Sequence, residues 1–416
     1  MKSVEWVIKA SKFCNLRCAY CYEWNNLSNR ERLSLAQWQR VLEAVRDYHL
    51  GLERRLGTPV ESRLIWHGGE PLTLPADYLD QVMRLQHETL RGLDYRILLQ
   101  SNLFSLPEAV IELLRRHDIG LGVSMDVIGG VRVDRRGRRT ESAVLANLDR
   151  LDRLGISYGA ITVLAKHNLH RLRDVHDFWL RRGAGFRVLP LFEGPGERPS
   201  GSFEASDEEL VAALCDLFDY WLGQGAQAKI FPLAEWLGNV LRAMLGQRSP
   251  VYDRRLRGES VLQVETNGDL FLTDERGHAE WRLGNVIKER IDRILASRAY
   301  SDSLARSEAK TAQFCHGCPH YGFCNGYPVH AEPFTRWPAV GCPVTAAVHD
   351  HIERTLLAAG YDAETLAGLM WSASGAAQAG AQRTSDELRR ASPPMSIAAG
   401  LPVTGGSVTV PVNSLT

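Results

Sequence analysis

The chain has 416 residues, 44% apolar and 24% charged, an ordinary balance for a globular protein with a large core. Lys plus Arg and Asp plus Glu are equal at 49 each, so no global field draws the chain to nucleic acid or an anionic membrane. No run approaches the roughly 20 apolar residues of a membrane span, and the opening MKSVEWVIKASKF has no apolar signal core; the expectation is a soluble, cytoplasmic protein.

From residue 3 to about 225, short apolar runs alternate with helix-period stretches. Strands are predicted at 4–10, 63–67, 95–101, 120–126, 158–164 and 186–192, with helices near 34–50, 76–91, 107–117, 141–154, 169–182 and 206–223. Six such units imply a parallel sheet with right-handed crossovers, as a partial (β/α)6 barrel or a doubly wound open sheet. In both, ligands gather at the C-terminal ends of strands. Cys14 follows the first strand, Gly68-Gly69-Glu70 the second, Ser101-Asn102 the third, and Ser124 and Asp126 the fourth.

Further along, 193–205 reads as a Gly/Pro-rich loop, and 260–274 as a hairpin turning on Asn267-Gly268. Helices near 286–299 and 344–359 flank a Cys-rich segment, and the Ala, Gly, Ser and Pro composition beyond about 372 predicts a mostly disordered tail. The expected domains are 1–225, 226–363 and 364–416.

The eight cysteines are clustered: three within 14–21, four within 315–342, and Cys215 alone in an apolar helical run. With no sign of export, clustering argues for metal rather than disulfides. In CNLRCAYCY, Cys14, Cys18 and Cys21 can hold three irons of a [4Fe–4S] cluster and leave the fourth iron open. An open iron can take the amino and carboxylate groups of S-adenosylmethionine (SAM) and pass an electron to its sulfonium.

This CxxxCxxC pattern, with Tyr20 before the last cysteine, resembles the radical SAM superfamily signature over roughly residues 3–195. The resemblance implies the partial barrel. It also implies that Gly68, Gly69 and Glu70 of GGEP receive the methionyl amino group, that Ser124 of GVSMD contacts SAM, and that Leu191 packs on adenine. Counting from Ser124 assigns the family's SAM-contacting arginine to Arg136, although the usual Asp-Gly-Pro reads Asp126-Val127-Ile128 here.

The second group, Cys315, Cys318, Cys324 and Cys342, suits a closed [4Fe–4S] cluster or a tetrahedral zinc, and spacing alone leaves both open. Its place after the barrel and the hairpin, with LGNV at 283–286, resembles the SPASM extension or its shortened twitch form. Thr273 and Pro328 stand where a full SPASM domain has cysteines of its inner cluster, so the resemblance implies one auxiliary cluster. Asp274 occupies the place of a catalytic base in sulfatase-maturing relatives. The leading expectation is a maturase of ribosomally made peptides that forms a cross-link or an oxidised residue. Such an enzyme would have a separate recognition element and a reductase, flavodoxin or ferredoxin as electron donor. The alternatives are a formylglycine-forming sulfatase maturase, or a dehydrogenase acting on an amino sugar or similar small molecule.

Overall fold

The structure, a computed structural model, describes residues 2–191, 203–247, 261–272, 279–324 and 342–365. Thr273, Asp274, Pro328, most of the 193–205 loop and the tail from 366 onward lie outside the described residues.

All six expected strands form: β1 (Lys2–Ser11), β3 (Val60–Gly68), β4 (Tyr95–Ser101), β5 (Gly120–Ser124), β7 (Tyr158–Leu164) and β8 (Phe186–Pro190). They lie side by side in that order, every pair parallel, as a β-then-α repeat requires. Two short strands missed by the sequence reading, β2 (Leu16–Cys18) and β6 (Arg132–Asp134), form a separate antiparallel pair beside the sheet. A further short strand, β9 (Ile230–Phe231), extends the sheet beyond β8.

The helices form where apolar residues recur at helical period. The first, α1 (Leu35–Leu56), opens on a capping box between Ser34 and Gln37 and ends at Gly57 in the left-handed region. It turns Trp38, Val41, Leu42, Val45 and Leu52 inward, where they join Trp6, Ile8, Leu64 and Trp66 in the main core. Alternation then sends Val7, Ile65, Leu98 and Ile161 to the opposite face of the sheet, where they form an apolar layer of their own.

The hairpin forms as β10 (Val261–Val264) and β11 (Asp269–Leu272), with Gly268 in a positive-φ turn. LGNV supplies a third short strand, β12 (Gly284–Asn285), at its edge. The hairpin continues the large sheet, because β10 runs parallel to β1 and pairs Glu5 with Val261 through Ile8 with Val264. The sheet thus has ten strands among the described residues.

Charge fixes this junction. The Lys9 ammonium lies 2.5 Å from Glu23 Oε1, just past the first cysteine group, and 2.7 Å from Glu265 Oε1, at the hairpin turn. Burial pulls its pKa down, but the two carboxylates outweigh burial and hold it above the ordinary lysine value. Lys12 pairs with Glu31, which also accepts from the Thr266 hydroxyl, so a second contact spans the same junction.

Replacing Lys9 by Met leaves two carboxylates facing each other without their cation. The substitution is expected to cost about 3–5 kcal/mol, read from the urea midpoint of the metal-free chain, and Glu265→Gln in the same chain is expected to recover part of it.

Candidate functional site

The site sits at the C-terminal ends of the parallel strands. Cys14, Cys18 and Cys21 occupy the turn after β1 and share an apolar cluster with Leu16, Leu27, Trp24 and Phe104. Burial, then the nearby Glu70 carboxylate, pushes the Cys14 thiol up to about 12; burial, then Cys18, does the same for Cys21. Burial also raises Cys18, against the pull of Arg132. Iron ligation requires thiolates, so a metal bound here displaces protons.

The end of β3 lies directly on this turn. The Gly69 amide donates to the Ser11 carbonyl at 2.8 Å, and the Glu70 amide to the Phe13 carbonyl at 2.8 Å. A Cβ on Gly68 would stand 2.1 Å from the Ser11 oxygen, and one on Gly69 would stand 2.3 Å from those of Lys12 and Phe13. Only glycine permits that approach.

Glu70 is buried and turned inward. Its carboxylate accepts from the Leu72 amide and the Ser101 hydroxyl, each at 2.9 Å, and from the Asn102 amide at 2.7 Å. Asn102 in turn directs its carboxamide to the Cys14 sulfur at 3.7 Å and to Asn15 Oδ1 at 2.8 Å. Ser124, at the end of β5, accepts from Gln100 at 2.7 Å.

Tyr20 and Leu191 meet in one cluster with Val131 and Ala165, against Cys18. The Tyr20 hydroxyl donates to Asp126, whose carboxylate also takes Arg132 Nε at 3.0 Å and the Val163 amide at 3.1 Å. The Arg132 guanidinium reaches to 4.0 Å from the Cys18 sulfur and lies 5.5 Å from the centre of the Tyr20 ring. Arg136 is exposed on the following turn, with its amide bonded to Asp134. The arginine that lies beside Cys18 and Tyr20 in this structure is Arg132. Arg132 is brought there by the antiparallel pairing of Arg132–Asp134 with Leu16–Cys18, which sets Arg132 opposite Cys18.

Val127, where the resemblance expects glycine, keeps a left-handed φ of 64°. With Ser124, Asp126, Ile128 and Arg132 it lines a narrow cleft. A β-branched residue is strained in that region.

The second cysteine group gathers at two helix ends. Cys315 caps the C-terminus of Arg298–Phe314, Cys318 and Cys324 follow on consecutive turns, and Cys342 precedes Pro343–Ala358. Cys315 is raised to about 12 by burial, then Cys342 and Cys318; Cys342 to about 12 by burial, then chiefly Cys324. Each thiol lies within electrostatic reach of others in the group. Among the described residues no three His, Cys, Asp or Glu side chains converge on one ion. A polynuclear cluster instead takes one thiolate per iron, and both donor sets are chemically suited to it. Cys215 is half-buried in the helix Asp207–Gly223. No described helix is long and apolar enough to cross a membrane.

Comparison with known proteins gives the frame. Residues 8–178 match the radical SAM superfamily. The serine-type anaerobic sulfatase-maturating enzyme of Bacteroides thetaiotaomicron is 24% identical over 75% of this chain and 79% of its own. The cysteine-type anaerobic sulfatase-maturating enzyme of Clostridium novyi is 20% identical over 80% and 90%. Among solved structures, native anSMEcpe with bound AdoMet superposes with a TM-score of 0.67 at 18% identity, covering 85% of this chain and 97% of that one. Streptococcus suis SuiB bound to precursor peptide SuiA gives 0.56 at 15%, covering 82% and 74%. The chain carries a radical SAM domain in the matching fold, and it is a radical SAM enzyme, which implies a [4Fe–4S] cluster and SAM.

Two outcomes follow from the strained loop and the buried acid. Val127→Gly is expected to change stability by less than about 1 kcal/mol, measured by urea unfolding, because relief of the left-handed strain is offset by the lost apolar contact and by glycine's greater freedom in the unfolded chain. Burial raises Glu70 to about 7, so its charged form is the costly one, and stability falls as pH climbs from about 4.5 to about 7. Glu70→Gln is expected to remove that part of the slope, on the order of 3 kcal/mol across the window, at a fixed cost of about 1–3 kcal/mol or more, because its carboxamide N–H groups face donors instead of acceptors.

Proposed function

We propose that this enzyme abstracts hydrogen from a residue of a peptide or protein, and that its product is a cross-linked or oxidised side chain. The observation that carries the reading is that two kinds of structural neighbour, anSMEcpe and SuiB, have each been solved with a peptide bound. The curated relatives on both sides of the serine and cysteine types favour a second reading, formylglycine formation on a sulfatase. Against it stands Thr273 in place of an inner-cluster cysteine.

In this reading Cys14, Cys18 and Cys21 hold the [4Fe–4S] cluster, which with SAM supplies a 5′-deoxyadenosyl radical. Gly68 and Gly69 bring the end of β3 close enough for its backbone to face the methionyl group, and Glu70 holds that end rigid from below. Tyr20 and Leu191 wall the adenine, and Ser124 and Arg132 face the carboxylate. Asp126 neutralises Arg132 and keeps it in the cleft. Asp274 takes the substrate proton. Cys315, Cys318, Cys324 and Cys342 hold one auxiliary iron–sulfur cluster, and residues 226–363 form the domain that carries it, behind a barrel domain of residues 1–225.

The test is anaerobic incubation of the iron-loaded enzyme, SAM and a reductant with two substrates: any small peptide encoded beside this gene, and a peptide carrying a sulfatase modification motif. The expected result is loss of two hydrogens from the neighbouring peptide, absent with Cys14→Ala, and no new carbonyl reactive toward hydroxylamine. A hydroxylamine-reactive aldehyde on the sulfatase peptide would replace the leading reading with formylglycine formation. No mass change in either, with 5′-deoxyadenosine still formed, would sink both.

A further inference from the structure

His167 lies three residues past the end of β7, and both of its ring nitrogens are buried with no hydrogen-bond partner among the described residues. Other buried histidines keep at least one partner. His49 Nδ1 meets the Ser62 hydroxyl at 2.8 Å, and His176 Nδ1 meets Asp177 Oδ1 at 2.9 Å. Burial pushes the His167 pKa below the ordinary histidine value, so the ring is neutral near pH 7. A neutral imidazole carries one N–H donor and one acceptor nitrogen, and burying both unpaired costs stability.

The backbone that carries His167 is held on both sides. Asn168 is buried; its carboxamide accepts from the Ala165 amide at 3.0 Å and donates to the Val163 carbonyl at 2.7 Å. The Lys166 amide donates to the Phe203 carbonyl at 3.0 Å, and the Leu191 amide to the Leu164 carbonyl at 2.9 Å. These bonds set the loop beside the cluster in which Ala165 joins Tyr20 and Leu191. The imidazole stacks on the Tyr20 ring, with 6.3 Å between centres and 21° between planes. Asp126 and Arg132 are within electrostatic reach of it. The polar neighbours are committed to one another, since Tyr20 and Arg132 both bond to Asp126. A partner for His167 must therefore come from a bound molecule.

We propose that His167 is a further cofactor-binding residue, whose two ring nitrogens hydrogen bond to the adenosyl half of SAM, one as donor and one as acceptor. The inference rests on the reading of Tyr20 and Leu191 as walls of the adenine site. Donor and acceptor chemistry favours this half of the molecule. The methionyl ammonium offers donors only and the carboxylate acceptors only, so either would leave one nitrogen of the neutral ring unmatched. The adenosyl group offers both kinds, an amino group and hydroxyls that donate beside ring nitrogens and hydroxyls that accept.

The test is titration calorimetry of SAM into the cluster-loaded enzyme without reductant, so that no SAM is cleaved, together with the urea midpoint of the metal-free chain. His167→Phe keeps a ring against Tyr20 and removes both nitrogens. It is expected to weaken SAM binding by about tenfold or more, with a urea midpoint equal to or above that of the wild type. His167→Asn, which restores a donor and an acceptor, is expected to recover part of the affinity. If the Phe variant fails to fold, His167→Ala is read in its place. Leu191→Ala reports separately on the adenine wall and is expected to weaken SAM binding as well. Unchanged affinity in the His167 variants beside weakened binding in Leu191→Ala would overturn the proposal and leave the adenine site standing. Weaker binding with a lowered midpoint, and no recovery in His167→Asn, would overturn it too, as a packing role. Unchanged affinity in all the variants would remove the reading of the adenine site, and the proposal with it.

Discussion

The arrangement of the site depends on one close backbone approach, that of Gly68-Gly69 to the segment Ser11–Phe13. Strands in a sheet keep their backbones roughly 4.8 Å apart, but here the chain leaving β3 folds over the chain leaving β1. Two amide-to-carbonyl hydrogen bonds hold the crossing, in a space that excludes even a methyl group. The cysteine turn begins where this contact ends. Its first ligand candidate, Cys14, therefore has a position defined relative to the sheet by backbone geometry, without dependence on side-chain rotamers. That suits a site where small displacements of a reacting atom are costly.

Side chains then extend the same order outward. Glu70 ties the end of β3 to Ser101 and Asn102 at the end of β4, and Asn102 passes the constraint back to Cys14. Asp126 at the end of β5 binds Tyr20 from the cysteine turn and the Val163 amide of β7. Lys9 holds Glu23 and Glu265 together and so joins the turn to the hairpin. Each link is a charged or amide group that is buried and partnered, the condition under which buried polarity confers rigidity instead of instability. Through Lys9, the hairpin that leads toward the second cysteine group is registered against the first.

The repeating part of this fold was legible because its signal is periodic. Six apolar runs separated by amphipathic helices leave little freedom in a right-handed parallel sheet, and the helix ends carried their own caps, such as Ser34 with Gln37 and Ser206 with Glu209. The cysteine spacings and GGEP were legible because they are local. What sequence alone did not reveal was pairing between distant short segments. Leu16–Cys18 and Arg132–Asp134 are too short to show alternation with any force, yet their pairing decides which arginine meets Cys18. The parallel docking of β10 on β1 was likewise invisible, since its partners lie more than 250 residues apart and the hairpin signal speaks only for β10 and β11. Asn102 looked like a strand-end polar residue, and its second role appears only when the turn and the strand are brought together.

Arg132 reaches the cysteine turn through the shape of the loop that precedes it. The backbone after Ser124 reverses at Val127, held left-handed, so Asp126 can face inward while Arg132, six residues later, returns to its carboxylate. Glycine would adopt the same turn without strain but with far more freedom in the unfolded and partly folded loop. Valine accepts a local cost and in exchange places an apolar side chain on the wall of the cleft that Ser124 and Arg132 share. The strain is sustained because the residues around it are over-determined: Asp126 accepts from three residues, Tyr20, Arg132 and Val163, and Glu141 caps the amide of Gly130 just beyond. A short loop pinned at both ends in this way has one reach, and that reach delivers Arg132 to the cleft and leaves Arg136 on the outer, basic side.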